Sequence, residues 1–135
     1  MTVVMRDYHG HEEELRDPVE AGEAFDDQVS SIMPHGEPGQ VLWFGPADGA
    51  PAIRVDIDVD RGRAAMQWIE DGTYAVDLEP GEAITVMESA DGDVVTIPAS
   101  FARVRPETVR AAVIEYVTTG IRPTSVTWHS LENAD

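Results

Sequence analysis

Residues 106–128, PETVRAAVIEYVTTGIRPTSVTW, constrain this chain more than any other stretch. Pro106 suits the first turn of a helix, where its missing N–H is not needed. Glu107 lies where the positive end of the helix dipole favours a carboxylate. Val109, Ala112, Val113, Tyr116 and Val117 recur at helical steps and share one face. Gly120 suits a left-handed C-cap, and Pro123 prevents the helix from resuming. Thr124, Val126 and Trp128 then alternate with Ser125, Thr127 and His129, which is the period of a strand. One helix face and one short strand cannot bury themselves. The pattern therefore demands a sheet supplied by upstream residues.

That sheet is legible in pieces. Residues 2–8, with Val3 and Val4, predict a first strand. Residues 9–14, His-Gly-His-Glu-Glu-Glu, predict a turn or exposed loop. Asp17-Pro18 is an N-cap followed by a first-turn proline, so a helix should begin there. Val19, Phe25, Val29, Ile32 and Met33 give it an apolar side, weakened by Gly22, and the breakers at 34–39 should end it. Residues 40–44 predict a buried strand. In 53–60, Ile53, Val55, Ile57 and Val59 alternate with Arg54, Asp56, Asp58 and Asp60, so one side is apolar and the other carries three carboxylates. Arg61-Gly62 supplies a turn, and 63–70 returns with Ala64, Met66 and Trp68 on one side. Residues 74–78, 83–88 and 94–97 predict further short strands, separated by Pro80-Gly81 and Asp91-Gly92. The sum is an α+β fold: a single antiparallel sheet of about six to eight strands with two helices on one face. A length of 135 residues suits one domain, 1–130, with a flexible tail at 131–135.

Composition narrows the chemistry. The chain has no cysteine, which excludes disulfides, thiolate metal sites and a cysteine nucleophile, and fits a cytoplasmic location. No apolar run is long enough for a membrane helix, and the N-terminal residues turn polar too early for a signal peptide. Nine basic residues stand against 26 acidic ones, a formal net charge of −17. Such a chain should repel nucleic acid and anionic membranes and attract basic partners; high solubility is the plainer consequence.

Asp56-x-Asp58-x-Asp60 invites a calcium-loop reading. Arg61 intervenes, Gly62 comes one place late, and Gln67 stands where a bidentate glutamate is needed, so a solvated acidic strand face is the better expectation. His9 and His11 beside Glu12–Glu14 lack the i, i+4 spacing of a helical zinc motif, and no metal or cofactor is expected. His35 reads as a loop residue. No serine sits in a nucleophile elbow, and the glycines at 36 and 39 are in the wrong context for a phosphate loop. Trp43, Trp68 and Trp128 fall in expected strands, where core packing is their ordinary role. Trp68, beside Glu70 and Asp71, is the best placed to anchor an interface.

The pattern Thr119-Gly120-x-Arg122-Pro123-x-x-Val126-x-Trp128, following Val109-Arg110-x-Ala112, resembles the first-numbered family of immunity proteins from bacterial polymorphic toxin systems, common in actinomycetes. The paired segments 53–60 and 64–68 around Gly62 are similar to that family's central hairpin. Ile121 and the Gln67-Trp68 pair depart from its usual pattern. The resemblance implies a protein without catalytic residues that binds and occludes a cognate toxin, typically a nucleic-acid-directed deaminase with a basic surface. Asp56, Asp58, Asp60, Trp68, Glu70 and Asp71 are the expected contacts. The alternative is a stand-alone ligand-binding protein or enzyme with a pocket lined by Trp43, Met66, Met87, Tyr116 and His129. A structural module pairing as a homodimer is the third reading.

Overall fold

The computed structural model describes residues 2–31, 39–89, 91 and 93–131. Ile32, Met33, His35, Gly36 and the rest of the breaker run before Gly39 lie outside the described residues, as do Gly92 and 132–135 of the expected tail. In chain order the elements are β1 (Val3–Asp7), β2 (Glu12–Leu15), α1 (Pro18–Ser31), β3 (Gly39–Pro46), β4 (Ile53–Asp58) and β5 (Arg63–Trp68). They continue with β6 (Thr73–Val76), β7 (Ile84–Met87), β8 (Val94–Ile97), α2 (Pro106–Thr119) and β9 (Thr127–His129).

Among the described residues the strands form one nine-stranded sheet, ordered β2-β1-β3-β4-β5-β6-β9. Every pairing along that path is antiparallel. Strand β7 joins β3 through a short parallel pairing, Gly39 with Val86 and Gln40 with Met87, and β8 pairs with β7. Gly39 admits no larger residue, because a side chain there would run into the backbone at Ile57. The α+β expectation is met, with one strand beyond the expected range and one parallel pairing.

Strand alternation explains where the core lies. Ile53, Val55 and Ile57 of β4, Ala64 and Met66 of β5, Leu42 and Phe44 of β3, and Val3 and Met5 of β1 share one side of the sheet. Ala21, Ala24 and Phe25 of α1, with Val109, Ala112, Val113 and Tyr116 of α2, pack on that side in the same cluster. The apolar side of α1 differs from expectation at one place: Val19 is 70% exposed, and the two alanines take the contact instead. Gly22 has a packing role, since it faces the Arg110 guanidinium of α2, which holds Asp26 of α1 at 2.9 Å. A second, smaller cluster joins Ile84 and Val86 of β7 to Ala102, with Val95 and Ile97 against it.

Residues 12–14, read as loop, belong to an edge strand. Their glutamates have low strand propensity and are all exposed, so no apolar alternation marks them. Pairing with β1 and the Arg6–Glu12 ion pair hold them in place.

The C-terminal helix behaves as its sequence demands. It begins at Pro106, and Gly120 caps it at φ 73° with its N–H donating to the Tyr116 carbonyl at 2.7 Å. Strand β9 starts later than the alternation suggested, because Glu115 holds the preceding loop. Its carboxylate accepts the N–H groups of Thr124 and Ser125 at 2.7 and 3.0 Å and the Thr124 hydroxyl at 2.9 Å. Trp128 then turns toward the core, meets Trp68 edge-on with ring centroids 6.4 Å apart, and donates its indole N–H to the Pro123 carbonyl at 2.8 Å.

Replacing Trp128 with alanine is expected to cost about 2–4 kcal/mol, the lower part of the range for a large aromatic because the ring is only half-buried. Denaturant melts of the two proteins measure it. Backbone and hydroxyl donors from Thr124 and Ser125 pull the Glu115 carboxyl from 4.5 down to about 2. A depressed carboxylate stabilises the fold above its unfolded pKa and ceases to do so as pH falls through the folded value. Wild-type stability should therefore decline between 4.5 and about 2, and that part of the decline should be absent in Glu115→Gln. Melting temperature followed against pH checks it.

Candidate functional site: the outer face of the sheet

The residues of β4 that alternate with its core side chains point away from the helices. Strand register extends this outer side into a transverse row. Glu12, Arg6, Trp43, Arg54, Gln67, Tyr74 and His129 stand opposite one another in turn across β2, β1, β3, β4, β5, β6 and β9. Beside the row, Val41, Asp56 and Ala65 form a second, buried line in register.

Arg54 is the centre of the outer face. Its guanidinium lies 5.8 Å from the centroid of the Trp43 ring. It donates to Asp56 at 2.9 and 3.1 Å and to Glu88, just past β7, at 3.0 Å. Asp56 is 4% exposed. Burial raises the pKa of its carboxyl, and the hydrogen bonds and charge of Arg54 offset only part of that rise. Burial also acts to lower the pKa of Arg54, but Asp56 and then Glu88 outweigh it and leave that pKa raised. The two directions agree on a desolvated pair held by one cation shared between two carboxylates. Along the row, Tyr74 stacks on Phe101, with centroids 4.6 Å apart and planes 2° from parallel. Burial, followed by the Asp56 charge, raises the pKa of the Tyr74 phenol.

Residues 2–130 match the family described as Immunity protein Imm1. The chain belongs to this family. A comparison with curated proteins finds no match. Membership in Imm1 implies a toxin as partner, and it covers nearly the whole chain, including the entire outer row.

In this Imm1 protein the three alternating aspartates do not make a solvated acidic face. Asp56 lies in the buried line under Arg54. Asp58 is 7% exposed, accepts the Arg61 N–H at 3.3 Å and lies 3.5 Å from the Arg61 guanidinium. Asp60 is exposed, beyond the end of β4 in the turn. Sequence alternation gave their side of the strand, but could not reveal that other parts of the chain cover it. Glu70 and Asp71 are exposed at the β5–β6 turn, where Asp71 pairs with Arg122 at 3.0 Å and accepts from Thr73. Trp68 is partly buried and packs toward the helices, 6.0 Å edge-on from Tyr116.

The alternative pocket does not assemble either. Met66 and Tyr116 are buried in the helix-side core, whereas Trp43 and His129 belong to the opposite side. Met87 sits half-buried on β7. A shallow hollow near β1 and β3 takes Trp43 with Val4, Arg6 and Pro51, and a cleft of about 200 Å³ is lined by Asp7, His11, Glu12, Glu13 and Gln28. His11 stands 3.5 Å from Asp7 and stacks with His9. Among the described residues no group of three or more potential ligands is arranged to hold a metal ion, and no helix is long and apolar enough to cross a membrane.

All nine cationic side chains of this Imm1 protein are arginines; it has no lysine. Arg6, Arg16, Arg54, Arg61, Arg110 and Arg122 are in ion pairs, and Arg63 and Arg103 donate to backbone carbonyls. The row of Trp43, Arg54, Gln67 and Tyr74 was missed in the sequence because it depends on register between strands; only the polar phase of 53–60 hinted at it.

Replacing Arg54 with methionine strands the buried Asp56 carboxylate and is expected to cost about 2–4 kcal/mol, reduced somewhat by the partial exposure of Arg54. Asp56→Asn, which leaves Arg54 with Glu88, should cost less. Urea melts of the two variants rank them.

Proposed function

We propose that this Imm1 protein neutralises a toxin by binding it and covering the surface through which the toxin engages its substrate. Family membership over residues 2–130 carries the reading. The substrate class favoured is nucleic acid and the toxin a deaminase, acting in the cell that produces both proteins. Such a toxin needs a cationic groove to hold its polyanionic substrate. A chain with net charge −17, eight of whose nine arginines are already engaged by its own carboxylates and carbonyls, is suited to compete for that groove. Asp60, Glu70 and Asp71 are exposed and belong to the contact in this reading; Asp56 and Asp58 serve it by fixing the sheet. No chemistry is required of the inhibitor, only shape, rigidity and charge.

The experiment is calorimetric titration of the protein with an inactivated form of the toxin domain that this reading expects to be encoded beside it. The expected result is a 1:1 complex whose affinity weakens as salt is raised from about 50 to about 500 mM, because exposed charges are screened over that range. Binding that ignores salt, or a saturated complex in which active toxin still turns over, would falsify occlusion by charge.

A further inference from the structure

We infer that the docking surface for the toxin is the outer row centred on Trp43, Arg54, Gln67 and Tyr74, and that it takes a cationic, partly apolar patch of the toxin. This rests on the toxin-binding reading above. Within β4 the carboxylates of Asp56 and Asp58 offer little surface to a partner, since both are buried and paired with arginines. The outer row has the composition that dominates interface energetics, with Trp, Tyr and Arg side by side. All four side chains are partly exposed, and Ile69, in the turn just past β5, is an apolar residue that is 39% exposed.

The row is also set before a partner arrives. It lies on central, doubly paired strands whose reverse side is the main core. Tyr74 is fixed by its stack on Phe101, and Arg54 by two carboxylates. Little side-chain freedom remains to be lost on binding. Charge selects the occupant. Arg54 offers one positive charge to the two negative charges of Asp56 and Glu88, so this locus remains anionic, and Glu88 is partly exposed. A lysine or arginine of the toxin can reach Glu88, whose side chain is 40% exposed at the edge of this locus. A second copy of this chain is a poor occupant, because each copy carries a net charge of −17 and like-charged surfaces repel.

The test uses two variants with exposed substituents, Gln67→Arg and Ile69→Arg, and a control on the far side of the molecule, Glu23→Arg on α1. Each is titrated with the same inactivated toxin domain, after thermal melting shows that the variant is folded. Both row variants should weaken binding about 30-fold or more, the effect of hot-spot loss. The control should change it by less than about three-fold, as a remote charge does in salt. Row variants that bind like wild type, or a control that alone abolishes binding, overturn the assignment while leaving toxin binding intact. Wild-type protein that binds no such domain overturns both readings. Self-association of the free protein in sedimentation, lost in Gln67→Arg, would give the row to a second copy instead.

Discussion

Strand β4 is buried on both of its sides, and that double burial requires the Arg54–Asp56 pair. Ile53, Val55 and Ile57 meet the helices, while Asp56 and Asp58 are enclosed on the other side. A carboxylate taken out of water is costly unless a cation and hydrogen bonds accompany it. Arg54 supplies both, and by reaching Glu88 it also fastens the chain after β7 to the outer side of the sheet. The pairing does not have to add stability over an apolar alternative. It makes the enclosed aspartate tolerable, and it fixes a guanidinium beside Trp43 at the middle of the outer row.

The parts of the fold written locally were legible in the sequence. Pro106, Gly120 and Pro123 bounded α2, and the period of 109–117 gave its buried face. Alternation gave β4 and β5 with the correct residues toward the core. What alternation does not contain is the environment beyond the strand. Asp56, Asp58 and Asp60 share a phase with Arg54, yet whether that phase meets water depends on residues more than twenty positions away, such as Glu88. Trp68 turns toward the core for a related reason. Its neighbours Glu70 and Asp71 are acidic in sequence, but its own phase is that of Met66, toward the helices. The outer row escaped notice because its members come from different strands, and only register brings Trp43, Arg54, Gln67 and Tyr74 into line.

Family membership and charge act at different levels. The Imm1 match carries the partner class and says little about where contact occurs. The arginine pairings limit how the excess negative charge can be used. Because eight of the nine arginines already have partners within the chain, a basic partner of the kind proposed would meet carboxylates with few free repelling groups. Electrostatic attraction of this kind speeds encounter and rejects wrong partners, while packed aromatic and aliphatic contacts decide how long the complex lasts.

The two ends of the sheet path have a consequence for life without a partner. Strand β2 ends one side with the exposed glutamates Glu12, Glu13 and Glu14, and β9 ends the other with only three residues. A free strand edge is a template for another chain unless charge or shortness blunts it. Here both devices are present. At these two edges a second copy finds little to pair with.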